Sequence, residues 1–233
     1  LGGYNANYER FKKHIKEGKE GFTKAAYSAY RERSIGLGAM GFHSYLQTKN
    51  LPFAGLLQTS INREIFRHIK SESNKASEAL ATDRGSYPDS SDSIYRNAHL
   101  LAIAPNASSS IICGGTSPSI EPYRANVYTH KTLSGNFKVR NKHLEKILKK
   151  KDLSKEEIES IWGKILDARG SIQELDIFTD EEKEVFKTAD EINQLQLVEH
   201  AHIRQEFICQ SQSVNLFFVL PKATADQEEL DKY

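Results

Sequence analysis

The stretch Asn106-Ala107-Ser108-Ser109-Ser110 lies between the apolar run HLLAIA and the aliphatic pair Ile111-Ile112, and its residue types are the ones in this sequence best suited to chemistry. Pro105, just ahead of it, lacks a backbone donor and is well tolerated where a helix begins. The apolar run, residues 99–104, reads as a strand buried on both faces. Strand, tight polar turn and helix start together aim several backbone N–H groups at one place, and the helix dipole adds partial positive charge there. The hydroxyls of Ser108, Ser109 and Ser110 add donors, and Ala107 leaves the backbone accessible. Each charge-assisted bond to a phosphate oxygen contributes about 1.5–3 kcal/mol, so three or four of them hold a phosphate without a lysine. The same residue types mark ordinary loops, and no Gly-Lys-Ser/Thr follows to make a P-loop. On the residues alone, a connector and an anion cradle both stay open.

Other chemistry-bearing residues are less distinctive. Glu121, in Ile-Glu-Pro-Tyr, is either an acid behind this turn or a carboxylate that stabilises its own turn. The alternating Gln210, Ser211, Gln212 and Ser213 either face a substrate or close a sheet. Cys113 and Cys209 are the only cysteines, far apart and in no C-x-x-C pattern, which argues against a disulfide framework and against zinc; small buried hydrophobes are the expected role. The eight histidines form no His-x-x-x-His or His-Glu-x-x-His set, so no metal is expected. Lys146, Lys149, Lys150 and Lys151 read as a solvated helix face.

The elements that must position the turn follow from patterning. Residues 8–32 carry apolar positions at helical spacing, broken at Gly18 and Gly21, and predict two short helices. SIGLGAMGFHSYL reads as a largely apolar helix capped by Ser34, with Gly36, Gly38 and Gly41 allowing close approach to a neighbour. After Pro52 a long amphipathic helix is expected, ending near Gly85. NVYTHKTLSGNFKVRN alternates about Ser134-Gly135-Asn136 and reads as a hairpin. Ser154 with Glu157 forms a capping box, and Thr179 caps a further helix whose pattern allows it to continue through residue 207. QSVNLFF is a second apolar strand candidate. Strands separated by helical sequence make the fold class α/β and helix-rich, and residues 1–233 are expected to form a single region, with a helical lead-in over 1–30 and a polar tail over 221–233.

Composition limits the function. At 233 residues, 38% hydrophobic and 27% charged, the chain is globular, and a net charge of +1 gives no field to attract nucleic acid or an anionic membrane. No apolar run approaches the roughly 20 residues that span a bilayer, and no signal pattern opens the chain; a cytoplasmic protein is expected. The chain starts at Leu1 and its only methionine is Met40, which reads as a piece of something longer.

RNAHLLAIAPNASSSIICGGTSPSIEPYRANVYTHKTLSGNF resembles the catalytic large subunit of class I ribonucleoside-diphosphate reductases of the eukaryotic and viral type. RERSIGLGAMGFHSYL, GSIQELDIFTDEEKEVFKTADEI and ICQSQSVNLFF resemble further segments of that family in the same order, so the likeness is collinear over roughly residues 25–218. It implies part of a ten-stranded α/β barrel. The turn matching Asn106, Ala107, Ser108 and Ser109 then binds the substrate diphosphate through backbone amides, flanked by Pro105, Ser110 and Glu121. The family's thiyl cysteine sits in an Asn-x-Cys-x-Glu loop, a pattern absent from these residues, and neither Cys113 nor Cys209 matches its catalytic or reducing cysteines.

The resemblance therefore implies no catalytic residue and no bound cofactor in this chain, which alone is expected to be inactive. Implied partners are the remainder of the large subunit, a second large subunit in a homodimer, the small subunit whose metal-containing centre generates the radical, ribonucleoside diphosphates as substrates, ATP or deoxynucleotide effectors, and thioredoxin or glutaredoxin as reductant. Two other readings are a different phosphate-binding α/β enzyme and a non-catalytic helical interaction module.

Overall fold

The computed structural model describes Lys13 and residues 23–90, 92–132 and 135–219. Its elements, in order, are α1 (Thr23–Glu32), α2 (Phe42–Thr48), α3 (Leu56–Arg84), α4 (Ala107–Ile112), the hairpin strands β1 (Val127–Thr132) and β2 (Gly135–Arg140), α5 (Lys142–Leu148), α6 (Lys155–Asp167), α7 (Asp180–Val185), a 3-10 turn (Ala189–Glu191) and α8 (Gln194–Gln205). The fold is α/β and helix-rich. Contacts group the chain into two compact units, one formed within 1–37, 64–102 and 207–211, the other within 38–63, 103–206 and 212–233. The earlier of the two helices expected in 8–32, and the polar tail beyond Pro221, lie outside the described residues apart from Lys13.

In the first unit α1 stops at Arg33, which takes a left-handed φ of 51°, and Asn97 Nδ2 donates to the Arg33 carbonyl at 2.8 Å. Ser77 is buried and acts as a hub: its hydroxyl donates to Asn97 Oδ1 and accepts the N–H groups of Arg96 and Asn97. The glycine-rich segment after Arg33 is extended rather than helical, which corrects the sequence reading. Ile35 N–H bonds the His99 carbonyl at 3.0 Å and Leu37 forms a parallel bridge with Leu101. Close approach is indeed what Gly36 provides, because a Cβ there would stand 3.1 Å from Ala102 Cβ.

The second unit holds a hydrophobic core. Val127 from the hairpin packs with Leu144 and Leu148 of α5, Ile161, Trp162 and Ile165 of α6, and Ile172, Phe178, Val185 and Phe186 from the chain around α7. Burying side chains of this size contributes about 1.5–3 kcal/mol each. The capping boxes at Ser154 and Thr179 form as expected, each hydroxyl accepting the N–H three residues on while the glutamate there bonds back. The second helix does not continue, however. It ends at Val185, Thr188 starts a 3-10 turn, and Asn193 caps α8 afresh by accepting Leu195 N–H. The hairpin pairs Val127 with Arg140 through Thr132 with Gly135; residues 133 and 134 lie outside the described residues.

Neither expected strand is continuous. In residues 99–104 only Leu101 and Ile103 make bridges, and QSVNLFF contributes one parallel bridge, Gln212 with Ile103. Both segments are extended, but few of their backbone groups meet a regular ladder within the described residues.

Candidate functional site

The turn expected to hold an anion sits in the second unit and is built from its backbone outward. Asn106 is the N-cap of α4 with a left-handed φ of 51°, a conformation that asparagine tolerates better than most residues, and its side chain makes no capping bond. The first N–H to find a helical partner is that of Ser110, on the Asn106 carbonyl at 3.0 Å. The N–H groups of Ala107, Ser108 and Ser109 are the unpaired donors of a helix start, and no hydrogen bond to them is made by the described residues. All three residues are exposed. Ser110 differs: it is buried, and its hydroxyl donates to the Ala107 carbonyl at 2.7 Å, bracing the turn from inside.

The opposite end of α4 is fixed by Gly114 and Gly115, with φ of 85° and 65°, which return the chain so that Gly115 N–H meets the Ile111 carbonyl and Thr116 N–H the Ser110 carbonyl. Lys142 Nζ donates to the Gly114 carbonyl at 3.2 Å.

Ala107 borders two clefts. One, of about 290 Å³, is lined by Pro105, Ala107, Pro118, Glu121, Arg124, Asn215, Leu216 and Phe217. The other, of about 280 Å³, lies against Ser110, Ile111, Tyr123 and Tyr128. Thus Pro105, Ala107 and Glu121 come together on one cleft, with Asn106, Ser108 and Ser109 adjoining in the chain, whereas Ser110 faces the second. Glu121 is 5% exposed, and its carboxylate accepts Asn215 N–H at 2.8 Å and Asn215 Nδ2 at 3.0 and 3.1 Å. Arg124 borders both clefts, with its guanidinium 5.2 Å from the Phe217 ring centre. Asn215 and Arg124 were not singled out from sequence. Neither carries a local spacing that would mark it; Asn215 stands alone among Val214, Leu216 and Phe217, and Arg124 lies between Glu121 and Asn126.

The alternating glutamines take structural partners. Gln210 Nε2 donates to the Ile35 carbonyl at 2.7 Å; Gln212 Nε2 donates to the Ala201 carbonyl at 2.8 Å while its Oε1 accepts from Arg204 Nε. The cysteines correct the expectation of buried hydrophobes, since both are exposed. Cys113 ends α4, and Cys209 Sγ accepts the N–H groups of Leu100 and Leu101 at 3.1 and 3.3 Å. Among the described residues no group of three or more His, Cys, Asp or Glu could hold a metal ion, and no helix is long and apolar enough to cross a membrane.

The fold is that of an α/β protein in which a segment leads through a left-handed asparagine into a helix start, with open amides beside a cleft, an order of elements that in general suits an anion. Its family is more specific. The sequence profile of the ribonucleotide reductase barrel domain matches residues 11–96 and 92–233, and the chain belongs to that family.

It is 48% identical over 195 residues to the ribonucleoside-diphosphate reductase large subunit of Invertebrate iridescent virus 3, covering 84% of this chain and 31% of the relative. With the large subunit of Caenorhabditis elegans the identity is 30% over 230 residues, covering 85% of this chain and 29% of the relative. Among solved structures, the Actinobacillus ureae class Id ribonucleotide reductase alpha subunit superposes with a TM-score of 0.78 at 40% identity, over 88% of this chain and 38% of that one. The chain spans about a third or less of the length of these curated relatives.

Proposed function

We propose that this chain supplies the substrate-diphosphate-binding part of the catalytic subunit of a ribonucleoside-diphosphate reductase, which converts ribonucleoside diphosphates to 2′-deoxyribonucleoside diphosphates. One observation carries the reading: the N–H groups of Ala107, Ser108 and Ser109 are open, exposed and adjacent at the start of α4, beside a cleft of about 290 Å³. The amides take the diphosphate oxygens, the hydroxyls of Ser108 and Ser109 supplement them, and Pro105 and Asn106 set the direction of approach. Glu121 holds Asn215 at the cleft wall, and Arg124 is the cation lining that wall.

The ribose chemistry belongs to groups outside this chain. The radical comes from the small subunit, electrons from thioredoxin or glutaredoxin, and regulation from ATP or deoxynucleotide effectors acting on a large-subunit homodimer. The work of this chain is to bind the diphosphate and orient the nucleoside.

The test combines the chain with the remaining portions of a large subunit and with the radical-bearing small subunit, and measures deoxyribonucleotide formation. Formation that requires this chain supports the reading. Equal formation in its absence contradicts it.

A further inference from the structure

A buried set of hydrogen bonds ties the loop after α4 to α2, all within the second unit. Ser44 and Ser117 exchange two bonds: Ser117 N–H donates to Ser44 Oγ at 2.8 Å, and Ser44 N–H donates to Ser117 Oγ at 3.2 Å. Tyr123 joins them. Its hydroxyl donates to the Gly115 carbonyl at 2.9 Å and lies 2.7 Å from Ser44 Oγ, so with its single proton committed to Gly115 it receives the Ser44 proton. Its backbone N–H donates to His43 Nδ1 at 3.0 Å. Gly41 N–H adds a bond to the Ser117 carbonyl at 3.0 Å. Ser44, Ser117 and Tyr123 are 6%, 0% and 8% exposed, so water does not compete for these bonds.

The tie reaches α4 in two steps. Gly115, whose carbonyl Tyr123 holds, bonds through its N–H to Ile111, and Thr116, next to Ser117, bonds to Ser110. Ser110 in turn holds the Ala107 carbonyl. A six-residue helix has too few internal bonds to fix its own direction, so the anchoring at its far end decides where its first amides point.

We propose that Ser44 and Tyr123 are positioning residues for the diphosphate turn, acting through Ser117 and Gly115 to aim the Ala107, Ser108 and Ser109 amides. The inference rests on the diphosphate reading above. Neither residue contacts the anion; each contributes direction. Neither residue belongs to the core cluster around Trp162, and both are buried, so the binding readout is taken only on variants shown to be folded.

The test titrates the full 233-residue chain with inorganic pyrophosphate, following amide NMR shifts, for the wild type, Ser44→Ala, Ser117→Ala, the double variant and Tyr123→Phe. Trp162 fluorescence and thermal unfolding check that each variant is folded at the temperature used. In folded variants the Ala107, Ser108 and Ser109 amide shifts move before any ligand is added, and pyrophosphate binds at least tenfold more weakly. Because Ser44 and Ser117 act as one pair, the double variant is no weaker than the worse single one. Tyr123→Phe keeps the ring and removes only the hydroxyl, so it reports even where a serine variant fails to fold. Wild-type amides that ignore pyrophosphate overturn the diphosphate reading itself. Wild-type binding that folded Tyr123→Phe or Ser44→Ala retains in full, with the three amides unmoved, overturns the positioning role alone.

Discussion

The Glu121 carboxylate accepts both the backbone and the side-chain N–H of Asn215, joining two segments 94 residues apart at the wall of the candidate diphosphate cleft. A carboxylate that is 5% exposed and held by one asparagine depends on that residue for its compensation.

Replacing Asn215 with Ala removes the side-chain donor and leaves Glu121 under-satisfied, with an expected loss of about 1–3 kcal/mol. Glu121→Gln turns a donor toward Asn215's own donors unless the amide settles with its oxygen there, so its cost should be the smaller. Urea unfolding of the two variants measures both. Equal stability of Asn215→Ala and the wild type would show that the pair holds nothing together.

Gly41 takes a φ of 83°, and a Cβ built there stands 2.5 Å from Thr116 Oγ1. Gly41→Ala therefore meets both backbone strain and a clash with the loop after α4, and is expected to destabilise by about 1–3 kcal/mol. Thermal unfolding reads the loss. Gly85→Ala is the matched control: its φ is 79° but nothing lies within 4 Å, so it carries the strain without the clash and should cost less.

Acid should weaken the second unit through His43. Burial lowers its pKa from 6.5 to about 3, and its Nδ1 accepts the Tyr123 N–H, a bond that protonation of that nitrogen breaks. Because the folded pKa lies below the unfolded one, the unfolded chain takes up the extra proton. Stability is therefore full above pH 6.5 and falls as the pH drops toward 3, by on the order of 5 kcal/mol over the whole interval. His143, lowered to about 4 by burial and then by Lys142 and Lys146, and His200, lowered by burial, act with the same sign. Urea midpoints between pH 7 and 4 should decline, and more gently in His43→Asn, whose Oδ1 can take the place of Nδ1. An identical slope would remove His43 from the account.

What the sequence disclosed depended on distance along the chain. Ser154 with Glu157 and Thr179 with Glu182 are pairs three residues apart, and both capping boxes form as read. Residues 33–37 carry helix-like patterning but pair with residues near 99–101, a partner more than sixty positions away that overrides local preference. The break after Val185 was hidden because Thr188 and Asn193 restart helical turns within the same apolar rhythm. The turn after Pro105 and the helix start at Ala107 were legible locally, whereas the expected strand over 99–104 makes only the isolated bridges of Leu101 and Ile103. The Asn215 clamp and the Ser44–Tyr123 tie were not legible, since each joins single polar residues whose spacing has no period.

Ser108→Asp separates binding from folding. Ser108 is exposed at the first turn of α4, where a carboxylate interacts favourably with the helix dipole, so thermal stability should hold or rise slightly. The same charge opposes a diphosphate, and nucleoside diphosphate affinity should fall at least tenfold. A variant that binds as tightly as the wild type would place the phosphates elsewhere.

Diphosphate binding at the start of α4 is read by amide NMR of the full chain during titration with a nucleoside diphosphate and, separately, with the matching nucleoside. The Ala107, Ser108 and Ser109 amides are expected to shift with the diphosphate and to stay in place with the nucleoside. Shifts that are absent, or equal for the two ligands, would contradict binding there.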